Sequence, residues 1–528
     1  MPIDPTLFRR VNIHSAVPLE LSFRSRLLPR RWDYAALAPH AAAVETWLRP
    51  RLRKGPTGRI ASVVFADKDS RGARPLHMMT LEDRVLYRAL VAVLTEALPE
   101  RVRGRRPIAE FKQAPLDVPG TEYITKTDVT AYYEYVDHEL LVSELLAQTG
   151  DELAADALGV LLASVLGRRV GLPQVHPASD VLGDTYIDPV RRHLLRRGHT
   201  VFTYSDDFRI ASPSLSAARA SLEACAVQVR ALGLVLNERK TFTFGTENYR
   251  ASLTSFADAE QRLFSEGDLD DPFATLGFLD SGYEDLDGDE ELPSTLGASP
   301  VVSSIDEDDA FDTGDGEEAE EVDSRRLQAA QRAWELWENQ DESEQGQATQ
   351  EAAITQSLLG RALPALGAAE DGGPLSHLSE LLRREPALTP QIAAYADAYG
   401  KNGGPARANL RSALNDVVTS DILSPWQGMW LAQVAGGLQR RSRATQAYED
   451  WLARCITGGH DALAATSAAA IGRTGRGDSD LVAAAIERLG PEWRRLAFWG
   501  LIGLDRNRAV ATADDELDRL LLDASGTE

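Results

Sequence analysis

The chain has 528 residues, 43% of them apolar, and carries a formal net charge of −24. Its length allows two to four domains with a sizeable core. Its two cysteines, Cys225 and Cys455, exclude a disulfide framework and a cysteine-based zinc cluster. No apolar run approaches the roughly 20 residues that cross a bilayer. Residues 1–20 lack the continuous apolar stretch of a signal peptide. A cytoplasmic protein with no membrane partner is the expectation. The charge is divided by region: residues 265–324 hold 22 acidic side chains and no Lys or Arg, while residues 1–127 carry a net of +9. A basic N-terminal third suits phosphate contacts, and it equally suits a solvated arginine-rich surface.

In chain order, residues 1–60 mix short helical patterns with Arg-rich turns, such as Arg49-Pro50-Arg51-Leu52-Arg53-Lys54-Gly55-Pro56. Ala61–Ala66 reads as a strand, and a charged turn follows from Asp67 to Gly72. Thr80 precedes a helical pattern from Leu81 to about Leu98. Thr121–Val129 is a predicted strand, and Thr200–Ser212 reads as two short strands around an acidic turn. Helical patterns occupy 138–149, 152–166, 177–197 and 215–232. The acidic stretch to Ser324 reads as a disordered linker.

From Arg325 onward the sequence is Ala- and Leu-rich. Helical patterns lie near 326–340, 351–368, 375–385, 389–399, 406–418, 425–438, 444–456, 461–472, 478–489 and 491–503. This predicts an all-α domain, either a HEAT-like helical repeat or a plain bundle. Its tryptophans (Trp334, Trp337, Trp426, Trp430, Trp451, Trp493, Trp499) are expected in the core. A concave face could bind nucleic acid or a second copy of the chain, giving a homo-oligomer. Arg440-Arg441-Ser442-Arg443 could contact phosphate or form a solvated turn.

In Phe202-Thr203-Tyr204-Ser205-Asp206-Asp207-Phe208-Arg209-Ile210, strand-like residues flank two adjacent acids, which predicts a tight hairpin with carboxylates at its tip. Upstream, Ile124-Thr125-Lys126-Thr127-Asp128-Val129 reads as a strand ending in another acid. Acids converging on buried strands are costly unless a cation neutralises them, and Mg²⁺ prefers such hard oxygen ligands. Three such acids can hold two ions, the arrangement that in-line phosphoryl transfer uses.

Here the sequence resembles a family. Asp128-Val129-Thr130-Ala131-Tyr132-Tyr133-Glu134-Tyr135-Val136-Asp137-His138 is similar to motif A of prokaryotic reverse transcriptases, Gly171-Leu172-Pro173-Gln174 to motif B and Tyr204-Ser205-Asp206-Asp207 to motif C. Leu232–Thr241 is similar to motif D, and Arg74-Pro75-Leu76 with Thr80, Asp83 and Arg84 resembles the fingers of group II intron-type enzymes. The resemblance covers residues 30–255. It implies α+β right-hand polymerase fingers (1–120) and a palm with an antiparallel sheet (121–260), then the linker (261–324) and the helical domain (325–528).

It further implies that Asp128, Asp206 and Asp207 bind two Mg²⁺ ions, with Mn²⁺ as the alternative. Lys68 and Arg74 would grip the triphosphate, Gln174 would contact nucleotide or template, and Lys240 would be a general acid to pyrophosphate. The Tyr133 ring would exclude a 2′-hydroxyl and favour deoxynucleotides. The implied partners are dNTPs, an RNA template or noncoding RNA, and a DNA product.

The sequence departs from the pattern at Val175, where the family has glycine. It also has Asp180 for proline, Asp184 for asparagine and Ser205 for the commoner alanine. No His/Asn endonuclease cluster or retron Val-Thr-Gly signature occurs. The helical C-terminus is similar in architecture to the abortive-infection and unknown-group reverse transcriptases of antiphage defence, some of which are implied to work without an ordinary template. An RNA-dependent RNA polymerase and a catalytically idle scaffold are the competing readings, which Tyr133 and the retained acids oppose.

Overall fold

Four helices build the N-terminal region, with arginines in the first and last of them and in the segment between the second and third. The helices are α1 (Pro5–Arg10), α2 (Ile13–Ser22), α3 (Trp32–Leu37) and α4 (Ala41–Leu52). The computed structural model describes residues 2–68, 72–104, 107–254, 316–339, 350–420, 423–439 and 446–525. Arg49-Pro50-Arg51, expected in a turn, lies in the last turn of α4. The helix-forming run from Ala41 carries through it, with Glu45 pairing to Arg49 one turn on. β1 (Ser62–Lys68) and β2 (Gly72–Met78) form an antiparallel hairpin. The expected charged turn is therefore shorter, because Asp67 and Lys68 still belong to β1. α5 (Leu81–Thr95) follows, with the Thr80 hydroxyl accepting from the Asp83 amide at 3.2 Å. The short helices α6 (Glu100–Arg103) and α7 (Ile108–Gln113) were not legible as periodic patterns.

A second sheet contains β3 (Tyr123–Asp128), β4 (Thr200–Tyr204), β5 (Asp207–Ser212) and β6 (Phe242–Gly245), in the order β4-β5-β3-β6 and antiparallel throughout. Around it are α8 (Tyr132–Tyr135), α9 (His138–Thr149), α10 (Glu152–Leu166), α11 (Pro177–Arg196) and α12 (Leu215–Ala231). α11 packs on β4 and α5, and α12 packs on β5 and β3. Apolar side chains at Val201, Phe208 and Ile210 share one face of the sheet and join the main core, while Ile124 and Ala211 are buried on the other face. The four longer helices fall within a residue of their expected bounds. Four-residue β6 was missed, being too short to show an alternation.

The C-terminal region is helical, as expected. Its elements are α13 (Gly316–Glu338), α14 (Gln350–Ala368), α15 (Gly373–Ser376), α16 (Leu378–Arg384), α17 (Thr389–Lys401), α18 (Gly404–Ser420), α19 (Pro425–Gln439), α20 (Gln446–Thr457), α21 (Asp461–Thr474), α22 (Ser479–Arg488), α23 (Pro491–Leu504), α24 (Arg506–Thr512) and α25 (Glu516–Ala524). α13 begins at Gly316, so the expected linker ends earlier than Ser324. Acidic residues suit the start of a helix, where they face the positive end of its dipole. The remainder of the linker, and Arg440-Arg441-Ser442-Arg443, lie outside the described residues. α14, α17, α19, α21 and α23 pack in succession as one row, and α16, α18, α20, α22 and α24 form a second. Gly472 and Gly500 bring α21 and α23 together so closely that a Cβ on Gly472 would fall 2.1 Å from the Gly500 carbonyl oxygen. No helix among the described residues is long and apolar enough to cross a membrane.

The first row grips the N-terminal region. Trp426 Nε1 donates to the Leu27 carbonyl at 2.6 Å, and Trp493 Nε1 to Ser62 Oγ at 2.9 Å. Trp499 stacks on Trp32, with ring centroids 5.4 Å apart. Ser424 Oγ donates to Asp67 on β1 at 2.8 Å. Three of the tryptophans expected in the helical core therefore stand at the junction between the two regions, Trp426 and Trp493 buried and Trp499 half-buried.

Beneath this junction lies a buried ion cluster. Glu20 on α2 meets Arg84 at 2.7 Å, Arg88 beside it, and His176 Nε2 at 3.0 Å. Burial alone would raise the Glu20 carboxyl, but Arg84, Arg88 and His176 outweigh it and hold the pKa well below 4.5. The cluster joins the N-terminal region, α5 and the loop before α11. Glu20→Gln leaves two buried guanidinium groups without their anion, at a cost of about 3–5 kcal/mol. A marked fall in the urea midpoint, read by tryptophan fluorescence near pH 7, is the expected result. The depressed carboxyl contributes its stability above its unfolded pKa and loses it as pH falls through the folded value. The gap between variant and parent should therefore narrow below pH 4.5, the ordinary value for this group. An unchanged midpoint at pH 7 would contradict the assigned role.

Candidate active site

β3 carries Asp128 at its C-terminal end, and antiparallel pairing sets it directly opposite Asp207, the first residue of β5. Asp206 precedes it in the hairpin turn, and its carbonyl accepts from the Val129 amide at 3.2 Å. The three predicted aspartates thus share one end of the sheet. The turn between Tyr204 and Asp207 has two residues, and Ser205 takes a left-handed φ of 49° to make it. The Ser205 amide donates to Asp184 Oδ1 at 3.1 Å, which holds the turn against α11.

The chain after α12 runs back along β3. Leu236 bridges Val129, and the Asn237 amide donates to the Asp128 carbonyl at 2.7 Å. This return sets Lys240 Nζ 3.0 Å from Asp128 Oδ2. Burial disfavours the charged ammonium of Lys240, but Asp128, with Asp206 and Asp207 adding to it, overrides that and raises its pKa. Asn237 Nδ2 lies 3.3 Å from the same oxygen.

On the other side, Arg209 is 2% exposed and reaches Asp207 Oδ1 at 3.3 Å. Its guanidinium lies 5.1 Å from the Phe111 ring centroid. Residues two apart on a strand share a face, so Arg209 follows Asp207 by the period of β5. Sequence reasoning gave Asn237 and Arg209 no role. The available signal was position: Asn237 lies within the motif D segment, and Arg209 stands two residues after Asp207 on a strand.

The loop after β3 turns at Ala131, φ 49°, and leads into α8 with Tyr132 and Tyr133. Tyr132 is buried and donates to the Gly183 carbonyl at 2.6 Å. A Cβ on Gly183 would lie 3.2 Å from the Tyr132 ring, so a glycine seats this ring on α11. The Tyr133 hydroxyl meets Asp180 Oδ1 at 2.8 Å and Ser205 Oγ at 2.9 Å. Gln174, expected to face nucleotide or template, donates to Glu134 Oε1 at 2.9 Å, and Arg168 holds the other Glu134 oxygen at 2.8 Å. Val175 keeps a left-handed φ of 57° where the family pattern has glycine.

Lys68 and Arg74 lie on the separate β1–β2 hairpin, Lys68 opposite Gly72 and Arg74 opposite Ala66. His77 on β2 is near enough to α8 to feel Glu134 and Arg168, although burial is the main cause of its lowered pKa. His77 thus brings β2 close to α8, the short helix that carries Tyr133.

Among the described residues no group of three or more His, Cys, Asp or Glu side chains forms a ready-made metal cage. Asp128 is drawn to Lys240, and Asp207 to Arg209. The donor set still fits a hard divalent cation, because Asp128, Asp206 and Asp207 supply carboxylate oxygens at one sheet end. Asp180 and Asp184 add further negative charge beside the turn.

Residues 66–278 match the family model described as reverse transcriptase (RNA-dependent DNA polymerase). No curated protein matches the chain. The matched segment begins within β1, contains the rest of the hairpin, the four-stranded sheet and all eight predicted site residues, and ends before the helical region. Domains of this kind act on dNTPs and a nucleic-acid template and generally use Mg²⁺ or Mn²⁺. The chain therefore carries a reverse transcriptase domain within residues 66–278, which supports RNA-directed DNA polymerase activity and makes the protein a nucleotidyltransferase.

Proposed function

We propose that the protein makes DNA by deoxynucleotidyl transfer at the sheet end that carries Asp128, Asp206 and Asp207. The supporting observation is the register that pairs Asp128 with Asp207 and bonds the Asp206 carbonyl to Val129. Bound there by the three carboxylates, two Mg²⁺ ions would neutralise charge and acidify the attacking 3′-hydroxyl. Arg209 and Asn237 orient Asp207 and Asp128 respectively. Lys240, kept charged by its acidic neighbours, is the proton donor to the departing pyrophosphate. Lys68 and Arg74, on the β1–β2 hairpin, take the triphosphate as point charge and planar fork. The Tyr133 ring closes the sugar site to a 2′-hydroxyl. Gln174 acts through Glu134, setting the loop on which Tyr133 stands.

The two rows of helices would form a HEAT-like array that holds the N-terminal fingers rather than a free module. With the missing intron and retron companions, this supports a specialised polymerase of bacterial antiphage defence, copying a bound RNA or extending without a template in the cytoplasm.

The test incubates purified protein with Mg²⁺ and each dNTP or NTP, with and without co-purified RNA. Incorporation of dNTPs is expected, and none in Asp206→Ala with Asp207→Ala; product surviving that double substitution would refute the metal-site assignment. Product formed from ribonucleotides alone would refute the sugar-gate role of Tyr133. Lys240→Ala should lower single-turnover incorporation by about a hundredfold, within the usual range for losing a general acid. A fall of less than threefold would remove Lys240 from the chemistry.

A further inference from the structure

The Tyr133 side chain is held more firmly than a ring acting by bulk requires. Its backbone carbonyl accepts from the Leu172 amide at 2.7 Å, fixing the residue to the loop before α11. Its ring meets Tyr132 edge-on, with centroids 5.4 Å apart and planes at 71°. Its hydroxyl has two partners of different kinds. Asp180 as carboxylate can only accept, so the single phenolic proton goes to it, at 2.8 Å. Ser205 must then donate its own proton to the phenolic oxygen, at 2.9 Å. The order of donors is fixed: Ser205 to Tyr133 to Asp180.

The far end of this relay is itself pinned. Ser205 sits in the left-handed region at φ 49°, and its amide donates to Asp184. Asp180, Asp184 and Ser205 are positions where the sequence departs from the intron-type pattern, and all three meet at the gate. Proline or alanine at 180 or 205 would offer no polar side-chain group to the tyrosine. A side chain held at both ends of its hydroxyl loses the small tilt that would admit a 2′-oxygen.

We propose that Asp180 and Ser205 are specificity-determining positioning residues, which lock the Tyr133 ring so that exclusion of ribonucleotides depends on the Ser205–Tyr133–Asp180 relay. The proposal rests on Tyr133 being the sugar gate. It differs from that reading in assigning part of the discrimination to hydrogen bonds rather than to ring volume.

The test measures kcat/KM for dUTP and UTP, which differ only at the 2′ position, on poly(rA) primed with oligo(dT) in Mg²⁺. Tyr133→Phe keeps the ring and removes both bonds, and Asp180→Ala removes one. Each should reduce the dUTP/UTP ratio on the order of tenfold, the scale of one hydrogen bond to a charged group. The double variant should fall no further than Tyr133→Phe alone, since both changes break the same bond. Asp180→Asn, which can still accept, should restore most of the ratio. Ser205→Ala should cost a few-fold.

If Tyr133→Ala relaxes the ratio while Tyr133→Phe and Asp180→Ala leave it at the parent value, the relay is wrong and the gate stands. If Tyr133→Ala also leaves it unchanged, the gate reading falls and the relay with it. Should Asp180→Ala fail to fold, Tyr133→Phe and Asp180→Asn still decide. A parent-like ratio in Tyr133→Phe overturns the proposal.

Discussion

Like charges forced together at the end of one sheet are the constraint on which the rest of this structure turns. The register that sets Asp128 opposite Asp207 admits no slippage, because a one-residue shift would move every apolar side chain of β3 and β5 to the opposite face. Two like charges at the roughly 5 Å spacing typical of directly opposed side chains in a sheet would repel by roughly 3 kcal/mol at an effective dielectric of about 20. The surrounding chain is arranged to answer that repulsion. Arg209 is buried beside Asp207, although its Nε finds no partner, and the strand after α12 returns to bring Lys240 and Asn237 to Asp128. Neither cation matches all three acids, so the site retains a preference for added positive charge. That preference is what a phosphoryl-transfer site requires.

The second large theme is the attachment of the helical region. Its first row of helices is fastened to the N-terminal segment by buried indole donors and a stacked tryptophan pair, contacts that stay put only in a dry, well-packed junction. Ser424 reaches Asp67, one residue before Lys68 on the hairpin. The ion cluster at Glu20 lies on the same line of contact and ends at His176, next to Val175. A chain of contacts thus runs from the N-terminal helices, which the helical region grips, to the loop before α11, which bonds to Tyr133 through Leu172. The hairpin proposed to hold triphosphate carries Asp67, bonded to Ser424, and His77, close to Glu134, on one and the same face.

Much of this was legible in the sequence where periodicity is long. α9 to α12 and most of the C-terminal helices came within a residue or two, because an apolar stripe repeated over three or more turns has no other solution. The hairpin tip was legible because two acids between β-rich flanks are hard to place otherwise. Short elements were not: α6, α7 and β6 are four to six residues each, too few to show a period. The functional neighbours of the aspartates were hidden for a different reason. Arg209 reads as one more surface arginine until strand pairing buries it, and Asp180 and Ser205 are 25 positions apart, brought to one hydroxyl by a tyrosine on a third element. Gln174 and the tryptophans were visible as residues, but the partners that define them were not.

The departures from the family pattern have a common logic. Ala131, Val175 and Ser205 are three of the four non-glycine residues with positive φ among those described, and each belongs to a different motif around Tyr133. Such conformations cost about 1–3 kcal/mol each and persist only where the surroundings over-determine them. Val175 is the sharpest case. A β-branched side chain is poorly suited to this backbone, yet the loop keeps the shape that a glycine would adopt without strain. The conformation has therefore been retained while the residue that eases it was given up. The compensation is visible nearby: Leu172 bonds to Tyr133, Gln174 to Glu134, and Ser179 Oγ to the Pro173 carbonyl, closing the loop on both sides of Val175. A loop held this tightly can bear a β-branched side chain, and Val175 packs partly against the hydrophobic core. We propose that its added bulk, in a loop bonded to the Tyr133 segment, narrows the choice of template relative to enzymes that have glycine there.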